Sequence, residues 1–560
     1  MIRKSYNFIE IVGYMKRCLE VTSALLAMLL SLQGCRREMS VTDFGAIPSD
    51  GNDDTEALRK AAAWVRETPG ATLIFPEGEY LIRDDYAEQV ERSQHEDFVP
   101  YHKYSKGLDF EGSKDATVKG YGATILVSGW METITIENCD NFRLEGLTLR
   151  HVRKPASEGT ITRIEPDCFF ARMYCTPFPL TVGERPKRCC IYDEQNECIY
   201  SDVLYGCHGE AVSADEVRFD HSIPERLLGA KVFMQHCFHY RPQVWIGESR
   251  GVTLQDVTIN DGNGMGITGW HSCDILMRRL AIVPAEGLFY STNTDATHFS
   301  SCYGTIEFDH CTFIGQGDDA TNVHGYYQDI LSTDGNNAEI KFNFAGQIHS
   351  LRADVPRIGD EFALVGRADL MTRDTYKVTA FTHEENSEVV GITLDRPLPD
   401  GCTEDCYLIN TTLMPRLKFH HCTCERNIAR GILVKTDKGT EIDHCTFKGM
   451  NIAGVVLSSE GNWKEGWQTV DADIHHNTFI NNGGTGDYEG SSIALDIKCD
   501  ARDSVILHRN IRIHDNTIVS NAGNACGILV RNAEDVTIEN NKISGCVDEV
   551  HVHCSNNVRY

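Results

Sequence analysis

Short runs in which apolar and polar residues alternate recur along the chain, and each predicts a strand that buries one face. Residues 144–149, 254–259 and 306–313 are examples, and similar runs follow in the C-terminal third. One position in each run, just before a threonine or its equivalent, is Leu, Val, Cys or Asn. These positions are Leu147, Val257, Leu280, Cys311, Cys422, Cys445, Asn477, Asn516 and Asn541.

The spacing of these positions predicts a coiled architecture. Most neighbours are 23 to 39 residues apart, which is the length of one coil of a parallel β-helix with three strands and three turns. The repeated position then forms a stacked inner ladder, in which Asn side chains hydrogen-bond along the stack and Cys side chains act as small buried hydrophobes. We therefore expect Cys311, Cys422 and Cys445 to be structural, reduced thiols.

Two gaps are too long for one coil. Val257 follows Leu147 after 110 residues, and Cys422 follows Cys311 after 111 residues. Subtracting one coil leaves roughly 85 residues at each place, enough for a small inserted module. Alternating runs inside the second gap predict a small antiparallel β-barrel, and the first gap is expected to hold a similar module.

A helix is expected near the N-terminus, because apolar residues recur on one helical face after Asp53 and Asp54, either of which could cap it. The predicted fold class is all-β: a right-handed parallel β-helix with two inserted small β-barrel modules and an N-terminal capping helix. The expected order is a signal peptide at 1–35, N-terminal coils and cap at 40–153, the first inserted module at 154–240, catalytic coils at 241–325, the second inserted module at 326–412, and C-terminal coils at 413–560.

Residues 1–35 predict export. A basic start at 15–17 precedes a short apolar run at 21–32, which is too short to span a bilayer. Cys35 directly after Gly34 resembles a bacterial lipoprotein box, so we expect lipid on Cys35 and a membrane-anchored protein in the periplasm or at the cell surface. An ordinary cleaved signal is the alternative, and the protein would then be periplasmic. The lipid anchor is the only membrane contact expected.

The charge balance restricts the partners. There are 53 Lys and Arg residues against 81 Asp and Glu residues, so the formal net charge is −28. A field of this sign repels polyanions at long range. It argues against a nucleic-acid partner and disfavours an anionic polysaccharide as substrate.

Three carboxylates are the candidate catalytic groups. Aligning the strands that follow each ladder position places Asp295 and Asp319, 24 residues apart, on adjacent coils and facing outward. Stacked strands are about 4.8 Å apart, so the two carboxylates would lie close together and one pKa would rise. Asp318 adds a third carboxylate at a different angle. This cluster favours a hydrolase, and the alternative is a calcium site or a solvent-facing turn.

Four further residues are candidates for substrate binding. Trp270 and Lys435 are predicted at one outward position of the alignment, where an indole can stack on a sugar and an ammonium group can donate to hydroxyls. Arg430 is expected in the column of Asp318, and His298 lies beside the acids. The alternatives are ordinary surface cover for Trp270 and Lys435 and a structural role for His298.

The acid cluster carries a family resemblance. Residues 293–295 (Asn-Thr-Asp) and 315–319 (Gly-Gln-Gly-Asp-Asp) resemble the cluster of the polygalacturonases, but the Gly-His-Gly and Arg-x-Lys motifs of that family are not found at the expected places. The chain after residue 40 is more similar to glycoside hydrolase family 110, the exo-acting α-1,3-galactosidases, within the pectin-lyase-like β-helix superfamily. Its segment 41–80 resembles the capped start of that superfamily.

The resemblance implies removal of terminal α-1,3-linked galactose from glycans, including blood-group B structures, with branched and also linear chains open as substrates. We expect inversion, with Asp318 as general acid across the glycosidic bond and Asp295 with Asp319 as the pair that holds the attacking water. No metal and no cofactor are expected. The alternatives are a polygalacturonase-like pectin hydrolase and a non-catalytic glycan-binding β-helix.

Overall fold

The computed structural model describes residues 37–93, 103–194, 198–200, 208–341, 353–385, 387–520 and 523–560. The predicted signal and lipidation residue Cys35 lie outside these ranges. Within the described part of the chain, no helix is both long and apolar enough to cross a membrane.

Three long parallel sheets form the body of the molecule and confirm the predicted β-helix. The strands of the first sheet are Glu38–Ser40, Thr72–Ile74, Thr117–Lys119, Arg143–Glu145, Arg250–Gln255, Cys273–Arg278, Tyr303–Asp309, Arg416–His420, Thr440–Asp443, Val470–His475, His508–His514, Ala533–Glu539 and Asn556–Arg559. The strands of the second sheet are Lys106–Asp109, Glu132–Glu137, Val244–Gly247, Ile267–Trp270, Thr297–Ser300, Thr321–Tyr326, Arg430–Val434, Ala453–Glu460, Ile493–Lys498, Cys526–Arg531 and Asp548–His553, with Glu465–Gly466 added in antiparallel pairing.

The third sheet completes each coil. Its strands are Gly78–Arg83, Ala123–Ser128, Thr148–His151, Thr258–Ile259, Ala281–Ile282, Thr312–Ile314, Thr423–Glu425, Thr446–Lys448, Thr478–Ile480, Thr517–Val519 and Lys542–Ser544. Side chains from all three sheets fill one continuous apolar core, because each strand turns alternate residues inward.

Both long gaps hold antiparallel modules. The first is a seven-stranded sheet built from Ala156–Glu165, Cys168–Met173, Arg188–Asp193, Cys198–Tyr200, Gly209–Ala211, Glu216–Phe219 and Lys231–Gln235. The second is a closed barrel built from Gln328–Asp334, Asn337–Lys341, Glu361–Gly366, Thr372–His383, Val389–Leu394 and Cys406–Asn410. Each has its own apolar core, which is why it can interrupt the coil without disturbing the stack.

Helices are few. The α-helices are Thr55–Glu67, Asp85–Ser93 and Cys402–Asp405, and the 3-10 helices are Val41–Phe44, Glu225–Leu227, Asp487–Gly490 and Arg502–Ser504. Helix Thr55–Glu67 buries Leu58 and Val65 against the first coils, as expected of a cap. The Asp54 side chain does not cap it but accepts hydrogen bonds from the amides of Ile47 and Leu81.

The inner ladder is formed as predicted. Cys311, Cys422 and Cys445 are at most 2% exposed and carry free thiols. The Asn477 side chain accepts a hydrogen bond of 2.9 Å from the Cys445 amide, and Asn516 accepts one of 2.9 Å from the Asn477 amide. These coils are thereby joined to one another through buried amide groups.

One detail of the predicted register is wrong by one residue. In the second sheet Ile267 pairs with Thr297, Thr297 with Thr321, and Thr321 with Ile432. The chain turns a corner just before these strands, so strict alternation does not hold there. Arg430 therefore lies two residues before Ile432, in the column of Asp319 and not of Asp318.

Candidate active site

A cavity of about 610 Å³ lies on the outer face of the second sheet. It is lined by Phe238, His239, Met265, Thr294, Asp295, His298, Asp318, Asp319, Asn322, Ala429, Arg430, Ile452, Glu460, Asn462, Trp463, Glu465, Asp487, Tyr488 and Lys498. All three predicted catalytic aspartates are among these residues, together with Arg430 and His298. Parallel stacking explains the convergence, because the aspartates precede neighbouring strands of one sheet.

The three carboxyl groups form a tight cluster. Asp295, Asp318 and Asp319 each offer an oxygen that lies within 4.8 Å of the others. Asp295 and Asp319 are only 5% and 1% exposed, whereas Asp318 is partly exposed. The acids point away from the coil as expected, but the walls of the cavity remove two of them from bulk water.

Hydrogen bonds fix the two buried acids. Asp295 Oδ1 accepts the Asp319 amide at 2.9 Å. Asp319 Oδ1 accepts both the backbone amide and the Nε of Arg430, each at 2.8 Å. The one-residue change in register makes this ion pair possible, because it puts Arg430 directly beside Asp319 on the next coil.

The acids have raised pKa values. Burial and the Asp295 charge raise the pKa of Asp318 to about 6. Burial also raises the pKa of Asp319 to about 6, although Arg430 opposes this rise. Burial and the Asp319 charge raise the pKa of Asp295 well above its usual range. Because like charges at this distance disfavour joint ionisation, the cluster retains a proton near neutral pH.

A pair of histidines locates that proton. Burial lowers the pKa of His298 to about 4, so its ring is neutral. His298 Nε2 lies 2.8 Å from His324 Nε2, and His324 Nδ1 lies 2.9 Å from the Gly325 carbonyl oxygen. The Gly325 carbonyl oxygen can only accept, so His324 donates to it from Nδ1. His298 Nδ1 lies 2.6 Å from Asp295 Oδ2, and the raised pKa of Asp295 favours the proton of this contact on the carboxyl group and not on the neutral ring.

Sequence relatives cover nearly the whole chain. α-1,3-Galactosidase A of Bacteroides fragilis is 27% identical over 94% of this chain and 92% of its own length. α-1,3-Galactosidase B of Bacteroides thetaiotaomicron is 24% identical over 90% of this chain and 85% of its own. A family model for a right-handed β-helix region matches residues 407–543. This similarity fits glycoside hydrolase family 110, the family that the sequence resembles.

Solved structures add only a distant likeness of fold. The A-module of a mannuronan C-5 epimerase from Azotobacter vinelandii is 13% identical, with 93% of this chain and all of that chain covered and a TM-score of 0.44. The exopolygalacturonase of Thermotoga maritima is 11% identical, with 94% and 92% covered and a TM-score of 0.41.

Two predicted sugar-binding residues lie elsewhere. Trp270 is 5% exposed, does not line the cavity, and stacks on the ring of His271 with centroids 3.8 Å apart. His271 Nε2 in turn contacts Asp354 at 2.7 Å, so the start of the second inserted module covers this part of the coil. The expectation of an outward indole available to a sugar is therefore corrected.

Lys435 also departs from the prediction. Its side chain has no exposed surface, and Nζ lies 2.7 Å from Glu465 and 3.3 Å from Glu460. The short strand Glu465–Gly466 lies over it and pairs with the second sheet. Lys435 thus holds two carboxylates of the cavity wall in place and does not reach the cavity itself.

Several residues in and around the cavity were not predicted from the sequence. Glu460 ends the long strand Ala453–Glu460, and the half-exposed Trp463 and Glu465 belong to the short excursion that follows it. Arg188, from the first inserted module, donates to the Gly317 carbonyl oxygen at 2.7 Å, and its charge lowers the pKa of Asp318. No local sequence signal connects Arg188 with an aspartate 130 residues later.

Proposed function

We propose that the protein is an exo-acting α-galactosidase that removes terminal α-1,3-linked galactose from glycans, including branched blood-group B structures and linear chains. Two relatives named α-1,3-galactosidase align over at least 90% of the chain. The observation that carries the proposal is the cluster of three aspartates with raised pKa values in a cavity of this chain. Enzymes place perturbed carboxyl groups where protons must be moved.

The charge of the cavity favours a neutral sugar. Six of the described lining residues are carboxylic acids: Asp295, Asp318, Asp319, Glu460, Glu465 and Asp487. The cations among them are Arg430 and Lys498, and Arg430 is already paired with Asp319. A galacturonate carboxylate would meet repulsion here, which disfavours the polygalacturonase alternative.

The geometry supports distinct roles for the three acids. Asp318 is the most exposed and has a pKa of about 6, so it can hold a proton for the leaving oxygen. Asp319, kept ionised by Arg430, takes the proton of the attacking water. Asp295, protonated and fixed by His298, orients this water beside Asp319.

The spacing of the acids differs from the expectation. Inverting glycosidases typically hold their two carboxyl groups about 6.5–9.5 Å apart, whereas oxygens of all three aspartates here lie within 4.8 Å of one another. We retain inversion because direct attack by either buried acid is disfavoured. Asp295 carries a proton, and Asp319 is stabilised by two hydrogen bonds from Arg430.

Release of galactose tests the function. The protein should liberate free galactose from a fucosylated α-1,3-galactoside and from a linear one, and leave polygalacturonate intact. Galactose is quantified by a coupled dehydrogenase assay. Cleavage of polygalacturonate alone would support the pectin hydrolase, and saturable binding of the galactosides without release would support the non-catalytic alternative.

The first sugar product is expected to be β-galactose. Water activated by Asp319 attacks the face opposite the leaving group, which inverts an α-linkage. Proton NMR within the first minutes distinguishes the anomers before mutarotation mixes them. If α-galactose appears first, a carboxylate acts as nucleophile and the roles given to Asp295 and Asp319 are wrong.

A further inference from the structure

A patch of histidines lies along one outer corner of the β-helix, where strands of the first sheet end. The histidine patch consists of His310, His420, His421, His444, His475, His476 and His514, interleaved with Asp309, Asp443 and Asp515. None of these residues lines the cavity. The patch therefore has no part in the proposed galactosidase chemistry.

Coil stacking produces the patch. His420, Asp443 and His475 are paired residues of three adjacent parallel strands. The next residue in each coil has a positive φ, which is 55° at His421 and 53° at His444. His421 and His444 thus project side by side, with ring centroids 5.0 Å apart.

The left-handed backbone conformation explains some histidines of the patch but not its buried aspartate. Histidine is enriched at positive φ, together with Asn and Asp, so a histidine at this corner needs no further reason. The preference of histidine for a positive φ does not account for Asp443, which is a strand residue. Asp443 lies between His420, its partner on the preceding strand, and His444, the next residue of its own coil. Asp443 is 7% exposed and contacts the Nδ1 atoms of both His420 and His444.

The donor atoms converge on Asp443. His421, Asp443 and His444 each offer one ligand atom, and these atoms lie within 4.8 Å of one another. A second set, Glu441, Asp443 and His475, satisfies the same limit and shares the same carboxylate. The exposed rings of His421 and His444 can rotate to shorten these separations, whereas the buried carboxylate is fixed.

We propose that the histidine patch binds one divalent transition-metal ion of the zinc type, with His421, Asp443 and His444 as ligands. Imidazole nitrogens suit Zn²⁺, Ni²⁺ and Cu²⁺, whereas Ca²⁺ and Mg²⁺ prefer sites made of oxygen alone. Zinc accepts two imidazoles and a carboxylate in a tetrahedral site whose fourth position holds water. The bound ion joins two successive coils and stabilises the folded state.

Titration of the untagged full-length protein with Zn²⁺ tests the site. Calorimetry at neutral pH should show one saturable equivalent, and His421→Ala and His444→Ala should each weaken it at least about tenfold. His383→Ala is the matched control, because His383 is an exposed histidine of the inserted barrel. Equal affinity in wild type and His444→Ala would overturn the proposal.

A second cluster of histidine and carboxylate side chains provides a further control. Glu489, His551 and His553 also converge, but Arg531 lies 3.2 Å from Glu489 and disfavours a cation there. A Glu489→Gln variant should therefore bind Zn²⁺ as the wild type does, and loss of binding would place the ion at that second cluster.

Cobalt reports the ligand type. Bound to nitrogen and oxygen ligands, Co²⁺ should give visible bands without a thiolate charge-transfer band. A thiolate band would assign the metal to cysteines and refute the patch. If an alanine variant fails to fold, this spectrum together with the Glu489→Gln titration still tests the site, because the spectrum excludes cysteine ligands and the titration excludes the second cluster. Galactose release by His421→Ala and His444→Ala should equal that of the wild type, so failure of the metal site and failure of the proposed function are separate results.

Discussion

Asp295→Asn, Asp318→Asn and Asp319→Asn should each lower the turnover of an α-1,3-galactoside at least about a hundredfold, the usual scale for acid–base groups. An amide keeps the shape of the side chain but cannot deliver or accept the proton that the reaction needs. Turnover numbers measured at saturating substrate test this expectation. Because the three acids act on one bond cleavage, a double variant should lose little more than the worst single variant.

Asp274→Asn is the control for these substitutions. Asp274 is half-exposed in the first sheet, and its carboxylate lies 3.9 Å from Arg250 at the surface. It should retain wild-type turnover. Near-normal turnover of a variant at Asp295, Asp318 or Asp319 would show that the substituted residue is not catalytic. A circular dichroism spectrum separates loss of chemistry from loss of fold, which matters most for Asp319→Asn because Arg430 loses its charged partner.

Lys435→Met should destabilise the folded protein by about 3–5 kcal/mol, as expected when one partner of a buried ion pair is removed. Methionine fills a similar volume, but Glu460 and Glu465 then remain buried, 3% and 5% exposed, without their shared cation. Glu465 then loses the cation at 2.7 Å, Glu460 keeps only Arg430 at 3.7 Å, and the two buried carboxylates must either repel each other or take up protons. Denaturant-induced unfolding, followed by tryptophan fluorescence, measures the change.

Lys438→Met provides the comparison for this loss. Lys438 is 44% exposed and pairs with Asp437 at 2.9 Å, so its removal should cost no more than about 1 kcal/mol. Similar losses for the two variants would show that the Lys435 network contributes no more than a surface pair. Turnover of Lys435→Met should also fall, because the cavity wall that carries Glu460 and Glu465 loses its anchor.

The repeating coil could be predicted from the sequence because its cause is local and periodic. A residue at the position of Cys311 or Asn477 can be buried only if the next coil stacks on it, so the spacing of such residues follows the architecture. The two inserted modules could be predicted from the gaps of 110 and 111 residues for the same reason, because an inserted module must leave and re-enter the same coil. The clustering of Asp295, Asp318 and Asp319 follows from that same stacking.

The register at the corners could not be predicted in this way. Alternation of side chains holds within a strand, but the backbone bends just before Thr297 and Thr321. These two strands therefore pair with the strand before them and the strand after them one residue away from the predicted alignment. This one-residue difference in register places Arg430 beside Asp319 instead of Asp318, and so decides which acid is paired with a cation.

The sequence by itself therefore determined the coil, its two interruptions and the three acids at its surface, because repetition along the chain becomes proximity in space. Only the tertiary structure decided which outward residues remain accessible. Asp354 of the second inserted module holds His271, which stacks on Trp270; the strand Glu465–Gly466 covers Lys435; and Arg188 comes from the first module. These contacts join segments that are distant in sequence, and burial in the folded protein is what raises the pKa values of Asp295 and Asp318.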